Sequence, residues 1–321
     1  MAKVLCLSER DVEVIGLGPA ECIDLVRKSV QWQAQGLVEV PAKIGVHPPK
    51  GRHINAMPAF VSPTHAAGVK WVADFPQNHT LGLPTIHGII ALSDADTGAP
   101  LCVMGGSRVT AMRTAAMTAI SLQVCASPEL QFGTIVGTGI EAWSHSLTLP
   151  KALPMLKALR IVGRDLQAAV SFCQKLGSAA GVELIPSADR EEAVRQSQVV
   201  VTVTNAISQP LLAPDWISAG STVVVLDNPG KETSLLHSLD RVVVDDRRPF
   251  ATEEVRRRFP NGVPHIDAEV GEVLASRLPG RTNASERILV MNLGSAGSDV
   301  VVASEVCARA RKMGIGTTVE L

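Results

Sequence analysis

Hydrophobic residues follow two different patterns along the 321-residue chain. Between residue 38 and about residue 103, short apolar runs alternate with turn sequences, as in "HINAMPAFV", "GVKWVADF" and "HGIIALSDADTGAPLCVM". These runs predict strands joined by turns, with "SDADTG" as a hairpin turn. Ser8 is placed to cap a first helix, and Pro19 to open a second helix that ends near Gly36. The first part of the chain is therefore predicted to be α+β.

A different pattern begins at Thr110, where the alanine-rich stretch "TAMRTAAMTAISLQVCA" predicts a helix that can pack closely against another element. Five runs rich in valine and isoleucine follow: "FGTIVG", "ALRIVG", "QVVVTVT", "STVVVLD" and "RVVVDD". Continuous apolar strands of this kind are typical of a parallel sheet that helices cover on both faces. We therefore predict an α/β protein with a Rossmann-type, doubly wound parallel sheet.

The two patterns predict two domains, which the chain length also favours. The dinucleotide-binding domain is expected over residues 127–295. A last helix, predicted from "SDVVVASEVCARARKMGIG", is expected to cross back to the first domain. Residues 1–126 and 296–321 are then expected to form one α+β domain.

Composition narrows the range of functions. Hydrophobic residues make up 46% of the chain, aromatic residues 3% and the formal net charge is −1, so no strong field attracts nucleic acid or an anionic membrane. The six cysteines form no CxxC pair, which argues against a zinc site and a disulfide framework. No apolar run is long enough to span a membrane, and no secretion signal is apparent. We expect a cytoplasmic protein that acts on small molecules and binds no metal.

A glycine-rich loop follows the first of the parallel-type strands. In "TIVGTGIEA", Gly137 permits a tight turn, Gly139 lets a pyrophosphate approach the backbone, and Ala142 allows close packing of the next helix. The order strand, loop and helix favours a dinucleotide site over a purely structural turn. The residues assigned to the cofactor here are Gly137, Thr138, Gly139, Ile140 and Glu141.

The end of the next strand, "ALRIVGRDLQ", bears on the choice of cofactor. NAD-binding sheets usually carry an acidic residue there for the ribose diol, but Gly163 occupies the terminal position and Arg164 follows. An arginine can pair with a 2′-phosphate, which favours NADP(H). NAD(H) remains possible if Asp165 binds the ribose and Arg164 is solvated.

Lys70 raises a separate question, because it interrupts the apolar run "GVKWV". Period-2 alternation can send Lys70 to solvent while Val69 and Trp71 face a core. Alternatively, the ammonium group faces inward because an anionic ligand binds there.

Several segments, taken together, resemble the ornithine cyclodeaminase/mu-crystallin family, which includes an archaeal-type alanine dehydrogenase and ketimine reductases. They run in family order over nearly the whole chain: "AMPAF", "GVKWVADFPQNHTLGLPT", "DADTGAPLCVMGG", "TAMRTAA", "GTGIEA", "LDNPGKE", "RVVVDD" and "GSAGSD". The resemblance implies a homodimer whose first domain binds the substrate and forms the dimer. It also implies hydride chemistry in the cleft between this domain and the dinucleotide domain.

The resemblance also implies roles for individual residues. Lys70 matches a catalytic-site lysine, and Asp227 of "DNPGKE" matches a proposed general acid/base. Arg113 matches a carboxylate-binding arginine, with Lys43 near the same carboxylate. The remaining matches are the substrate-pocket positions Met57 and Thr85, and positions near the cofactor at Thr114, Val203, Thr204, Asn292 and Gly294. An imino acid held by Arg113 and two lysines is well positioned for hydride transfer.

Asn55 bears on the choice of reaction. Ornithine cyclodeaminases of the family carry an acidic residue two positions before the pocket methionine, and Asn55 stands there in this chain. We therefore predict an NAD(P)-dependent oxidoreductase that reduces a small α-imino (ketimine) acid to the amino acid, or catalyses the reverse reaction, with Asn55 in the substrate pocket. Cyclodeamination without net redox change is one alternative, and a non-catalytic NADPH- or ligand-binding protein is another.

Each assigned residue also has a purely structural interpretation. Arg113 can be a structural ion-pair partner on its helix, and Asp227 can be a turn residue. Asp299 is expected to cap or orient the last helix without chemistry of its own. Lys231 and Glu232 are expected to form a solvated pair.

Overall fold

The computed structural model describes residues 3–49, 51–204, 209–226 and 232–320. The chain divides into two units, which we call unit 1 (Met1–Arg113 with Ser295–Leu321) and unit 2 (Thr114–Gly294). The division falls inside one helix, Ser107–Cys125. Each unit is built around its own eight-stranded sheet.

Unit 1 contains a mixed sheet. Its strands are β1 (Lys3–Leu7), β2 (Val38–Glu39), β3 (Ile44–Val46), β4 (His53–Val61), β5 (Ala66–Asp74), β6 (Ile86–Asp94), β7 (Pro100–Gly105) and β16 (Thr317–Glu320). They lie in the order β16-β1-β7-β6-β5-β4-β2, with β3 beside β4, and only β1 and β7 pair in parallel. The predicted hairpin joins β6 and β7, where the Asp94 carboxylate accepts a hydrogen bond from the Thr97 backbone at 2.8 Å.

Three helices belong wholly to unit 1: α1 (Glu9–Ile15), α2 (Pro19–Ala34) and α10 (Ala296–Met313). Ser8 caps α1 and Pro19 begins α2, which confirms both helix starts. The last helix, α10, contacts β4, β5 and β6 as well as α1 and α2. It therefore covers one face of the central strands of the mixed sheet.

Unit 2 contains a wholly parallel sheet, which confirms the predicted Rossmann-type fold. Its strands are β8 (Phe132–Val136), β9 (Ala158–Val162), β10 (Glu183–Ser187), β11 (Val199–Thr202), β12 (Thr222–Val225), β13 (Arg241–Val244), β14 (Ala268–Glu269) and β15 (Ile288–Met291). The order is β10-β9-β8-β11-β12-β15-β13-β14. The strand order reverses between β8 and β11, and doubly wound sheets bind ligands at the carboxyl ends of the strands at such a point.

The helices of the parallel part of the chain are α3 (Ser107–Cys125), α4 (Ile140–Ala152), α5 (Leu166–Leu176), α6 (Arg190–Arg195), α7 (Thr233–Leu236), α8 (Glu253–Arg256) and α9 (Val270–Leu274). The alanine-rich α3 is almost wholly buried; Ala115, Ala116 and Ala119 are inaccessible to solvent, because small side chains let neighbouring elements approach closely. Among the described helices, none combines the length and the apolar character needed to cross a membrane.

Candidate active site

The structure places Lys70 on the buried face of the mixed sheet. Its side chain is 2% exposed, whereas the neighbouring Trp71 is 46% exposed. Lys70 lies in a cross-strand row with Met57 on β4, Ile90 on β6 and Met104 on β7, all of them buried. Strand alternation therefore points the lysine towards α10, and the solvent-facing interpretation does not hold.

Asp299, on the first turn of α10, binds two buried cations. One carboxylate oxygen lies 2.8 Å from Nζ of Lys70, and the other accepts a hydrogen bond from Nε of Arg113 at 2.9 Å. Lys70, Arg113 and Asp299, which we call the charged cluster, are each less than one-tenth exposed. They come from β5, α3 and α10, and all three belong to unit 1. The formal charges of these three side chains are two positive and one negative.

The orientation of Arg113 leaves one edge of its guanidinium available. Nε donates a hydrogen bond to Asp299, while Nη1 and Nη2 donate no hydrogen bond to the residues that the structure describes. The nearby Cys22 does not neutralise the cluster, because burial raises the pKa of its thiol to about 12 although Arg113 lowers it. Two adjacent N–H groups of a guanidinium match the two oxygens of a carboxylate.

Asn55 and Met57 on β4 point to the same face of the sheet as Lys70 on β5. Met57 is the register partner of Lys70, and Asn55 is paired with Val72. Asn55 is 7% exposed, and its carboxamide oxygen has no hydrogen-bond partner among the described residues. A buried acceptor without a partner is unfavourable, so the position suits a ligand that can donate.

The other predicted substrate residues are less buried. Lys43 is half-buried, immediately before β3. Thr85 is half-buried before β6, and its carbonyl accepts a hydrogen bond from the Phe75 backbone at 2.8 Å. Asp227, the proposed acid/base, lies outside the described residues.

The glycine-rich loop joins β8 to α4. Gly137 has φ +136°, and a Cβ atom there would lie 2.9 Å from the carbonyl oxygen of Val203, so only glycine fits. Gly139 is the N-terminal cap of α4, and a Cβ atom added there would meet nothing within 4 Å. Open space therefore borders the N-terminus of α4, as the binding of a pyrophosphate requires. Thr138 and Glu141 are half-buried, Ile140 is exposed, and Thr204, after Val203, is half-buried.

His145 secures the start of α4 and was not predicted as a site residue. Its ring is fully buried; Nδ1 lies 2.7 Å from the Glu141 carbonyl and Nε2 lies 3.0 Å from Oγ1 of Thr118. A carbonyl only accepts, so Nδ1 carries the hydrogen and Nε2 accepts from the threonine. Burial lowers the pKa of His145 to about 4, so the ring is neutral at pH 7.

The end of β9 presents Arg164 to solvent. The side chain of Arg164 is 88% exposed and its Nε lies 3.9 Å from Asp165. Asp165 caps α5 by accepting a hydrogen bond from the Ala168 backbone at 2.8 Å. Gly163 is required, because a Cβ atom there would lie 2.7 Å from the Asp165 carbonyl oxygen. One oxygen of Asp165 is therefore used by the helix, whereas Arg164 is exposed.

The segment after β15 is held by Asp245. Its carboxylate accepts hydrogen bonds from the backbone of Leu293 at 3.1 Å and of Gly294 at 2.6 Å. The Asn292 side chain is buried and exchanges hydrogen bonds with Ser121 of α3 rather than facing solvent. Thr114, also on α3, is 8% exposed. The acidic pair after β13 in "RVVVDD" is the sequence signal that could have pointed to Asp245.

Glu232 was expected to be solvated, but the structure shows it buried. It is 1% exposed rather than solvated, and its two carboxylate oxygens accept hydrogen bonds from the backbones of Leu211 and Leu212 at 2.8 and 3.2 Å. Burial raises its pKa despite these two hydrogen bonds. Lys231 lies outside the described residues. The prediction of a solvated Glu232 was wrong because a polar sequence context does not reveal backbone donors twenty residues away.

A parallel sheet whose first strand leads through Gly-x-Gly-x-x-Ala into a helix defines a dinucleotide-binding fold. The chain belongs to the ornithine cyclodeaminase/mu-crystallin family, whose model matches residues 3–314. This match confirms the resemblance stated from the motifs.

Individual relatives are similar over the full length. The nodulation efficiency protein NfeD of Rhizobium meliloti is 31% identical over 320 residues, which are 99% of each chain. The Δ1-pyrroline-2-carboxylate reductase of Thermococcus litoralis, solved with NADH and L-proline, has a TM-score of 0.91 at 25% identity, covering 98% of this chain and 100% of that one. An archaeal alanine dehydrogenase dimer with bound NAD has a TM-score of 0.87 at 26% identity, covering 99% of both. The relatives thus include oxidoreductases of amino and imino acids.

Proposed function

We propose that this protein is an NAD(P)-dependent oxidoreductase that reduces a small α-imino (ketimine) acid to the α-amino acid, or catalyses the reverse reaction. The observation that carries the proposal is the charged cluster, in which two buried cationic side chains meet one carboxylate and the Nη groups of Arg113 donate to no described residue. Reductases of this kind and amino-acid dehydrogenases occur among the relatives.

The free edge of Arg113 favours an anionic ligand. A buried guanidinium is unfavourable unless its N–H groups are hydrogen-bonded. Nη1 and Nη2 donate to no described residue, and one carboxylate can accept a hydrogen bond from each. Lys70 then contributes a point charge at a fixed position beside the same ligand. A carboxylate held at both oxygens also fixes the adjacent carbon, which is the atom that changes oxidation state.

The residues near the cluster bear on the rest of the substrate. Met57 offers an apolar, adaptable surface, and Asn55 offers a carboxamide oxygen that has no hydrogen-bond partner among the described residues. We infer a small imino acid with an uncharged or hydrogen-bonding side chain. A second ammonium group on the substrate has no carboxylate partner at position 55, which disfavours a diamino acid.

The glycine loop of unit 2 is proposed to hold the cofactor, which supplies or receives the hydride when bound. The open space at Gly139 and the N–H groups at the start of α4 suit the pyrophosphate. The exposed Arg164 supports NADP(H), because its guanidinium can pair with a 2′-phosphate. NAD(H) remains the alternative, and the two relatives described above were solved with NADH and with NAD.

Asp227 is proposed as the acid/base that gives a proton to the imine nitrogen or removes one from the amine. The proposal rests on the family motif "DNPGKE", which follows β12 in the sequence. Replacing Asp227 with Asn is expected to lower turnover about 10²–10⁴-fold, the range for a positioned acid/base group. The affinity for the reduced cofactor should hardly change, and wild-type turnover would remove Asp227 from the mechanism.

We also propose that the protein forms a homodimer through the face of the unit 1 sheet opposite Lys70. Ile44, Ala56, Trp71 and Ile89 form one cross-strand row on that face, and Ile44, Trp71 and Ile89 are exposed. Phe60 on β4 and Val46 on β3 are exposed apolar residues as well. Contiguous apolar surface of this kind usually marks an interface, and the archaeal alanine dehydrogenase was solved as a dimer.

A spectrophotometric screen tests the reaction. Small 2-oxo acids are mixed with ammonia or methylamine so that imines form, and loss of NADPH or NADH absorbance is followed. Substrate-dependent consumption of reduced cofactor supports the proposal. Ammonia release from an amino acid at constant cofactor absorbance would instead show a cyclodeaminase, and cofactor binding without any turnover would show a binding protein.

A further inference from the structure

One carboxylate fixes both cations of the charged cluster. Asp299 is 1% exposed, and its two oxygens are divided between Lys70 and Arg113 at 2.8 and 2.9 Å. These partners come from a strand and a helix that are distant in sequence, whereas Asp299 lies on α10. Asp299 is therefore the described residue through which the positions of the two cations are linked.

We infer that Asp299 is a positioning residue of the anion site, which sets the direction in which Arg113 presents its Nη–H groups to a substrate carboxylate and fixes the position of the Lys70 ammonium group. The inference rests on the proposed function, because the carboxylate it serves is that of the proposed imino acid. Asp299 itself need not touch the substrate.

The geometry at Arg113 supports this role. A guanidinium has one Nε edge and one Nη1–Nη2 edge, and its planar shape means that fixing the first edge also fixes the second. Asp299 binds Nε, so the Nη groups are held in a defined direction rather than rotating about the side-chain axis. The side chain is 9% exposed, so there is little space for other rotamers.

The location of Asp299 supports the role as well. Ser295 caps α10, and Asp299 follows in the first turn, where the partial positive charge of the helix N-terminus favours a carboxylate. The side chain of the neighbouring Ser298 lies outside the cluster and donates a hydrogen bond to Oγ of Ser29 at 3.4 Å. The helix thus carries both an ionic contact and a neutral contact in one turn, and the two can be removed separately.

A purely structural role for Asp299 leads to a different expected result. If Asp299 only stabilised the fold, a replacement would change the folded fraction, and each folded molecule would keep its turnover. If Asp299 sets direction, a replacement that keeps the charge but moves the oxygens should impair turnover in folded molecules. Misplacement of a reacting group by about 1 Å can lower the rate about a hundredfold.

Asp299→Glu makes this separation. It keeps the carboxylate charge but adds one methylene, and Ser298→Ala is the matched control in the same helix turn. For Asp299→Glu we expect kcat per folded molecule to fall at least about tenfold. The Kd of a non-reacting carboxylate such as cyclopentanecarboxylate should rise as well, because the Nη groups of Arg113 no longer point at it. Ser298→Ala should retain kcat, and unchanged kcat in Asp299→Glu overturns the inference.

A measurement on the wild-type protein covers the case in which Asp299→Glu does not fold. Side-chain ¹H–¹⁵N spectra report the Nε–H of Arg113, assigned by its disappearance in Arg113→Lys. We expect this proton to exchange far more slowly than that of the exposed Arg164. Added cyclopentanecarboxylate should shift the Nη–H signals and leave Nε–H in place. Exchange of Nε–H as fast as at Arg164 overturns the inference.

The two experiments separate this inference from the proposed function. The proposed reaction is refuted if the wild-type protein shows no turnover. The role of Asp299 still stands in that case if the Nε–H of Arg113 is protected and the Nη signals shift with carboxylate. Conversely, if the protein turns over an imino acid but the Nε–H exchanges freely, the reaction stands and the role of Asp299 is refuted.

Discussion

The buried His145 predicts how stability responds to acid. In the native protein its ring is neutral, donates through Nδ1 to the Glu141 carbonyl and accepts at Nε2 from Thr118. Burial lowers its pKa from 6.5 to about 4. Below pH 6.5 the unfolded chain therefore binds a proton that the folded chain does not, so the unfolded state gains stability as the pH falls.

The magnitude follows from the difference between the two pKa values. A difference of about 2.5 units corresponds to about 3 kcal/mol, which is fully lost only near pH 4. At pH 5.5 the unfolded histidine is largely protonated and the folded one is not, so the loss is about 1.4 kcal/mol. Above pH 7 the contribution of His145 to the pH dependence disappears, because both states are neutral.

Urea unfolding at pH 7.5 and at pH 5.5 measures this effect. His145→Gln keeps a neutral polar side chain but cannot be protonated, so carboxylate effects common to both proteins cancel in the comparison. We expect the wild type to lose about 1.4 kcal/mol more than the variant between the two pH values. His265, whose side chain is 87% exposed, provides the control: His265→Gln should behave as the wild type. If the wild type and His145→Gln lose the same unfolding free energy between the two pH values, His145 is not the cause of the acid sensitivity.

Three further predictions concern the cofactor and the interface. Arg164→Ala should weaken NADPH more than NADH, by about 1.5–3 kcal/mol for a lost charged hydrogen bond; titration of both cofactors checks this, and equal effects would undo the NADP preference. Gly137→Ala should abolish cofactor binding in the same titration without unfolding the protein, because its Cβ collides with the Val203 carbonyl; normal binding would contradict the assigned loop. Trp71→Lys should convert a dimer into monomers in sedimentation experiments, since it places charge in the apolar sheet face; an unchanged dimer would place the interface elsewhere.

Sequence reasoning succeeded where the determining interactions are local. Gly137, Gly139 and Ala142 lie close together in sequence where β8 leads into α4, and the spacing of the two glycines reflects steric limits within that short connection. The Rossmann-type fold was likewise predictable, because burial on both faces imposes apolar residues along each strand. The strands β10 and β15 were missed.

Interactions between distant segments were not predictable in the same way. The pairing of Lys70 with Asp299 joins residues more than two hundred positions apart, and the sequence around Asp299 suggests only a helix start. His145 shows the same difficulty: a lone histidine in a helix gives no sign that Thr118 stands opposite it. Asn55 was noticed because it replaces an acidic residue, but its unsatisfied oxygen became apparent only in the structure.

The proposed function depends on the charged cluster as a carboxylate-binding site. Measuring carboxylate binding to the Arg113→Met variant is the strongest test of this role. This variant keeps the ion pair between Lys70 and Asp299 but loses the guanidinium charge and the Nη1–Nη2 edge of Arg113. Calorimetric titration with cyclopentanecarboxylate should show affinity reduced about 10- to 150-fold, as expected for a charged hydrogen bond of about 1.5–3 kcal/mol, while NADH affinity is unchanged. If a folded Arg113→Met protein binds the carboxylate with wild-type affinity, the charged cluster is not the carboxylate site.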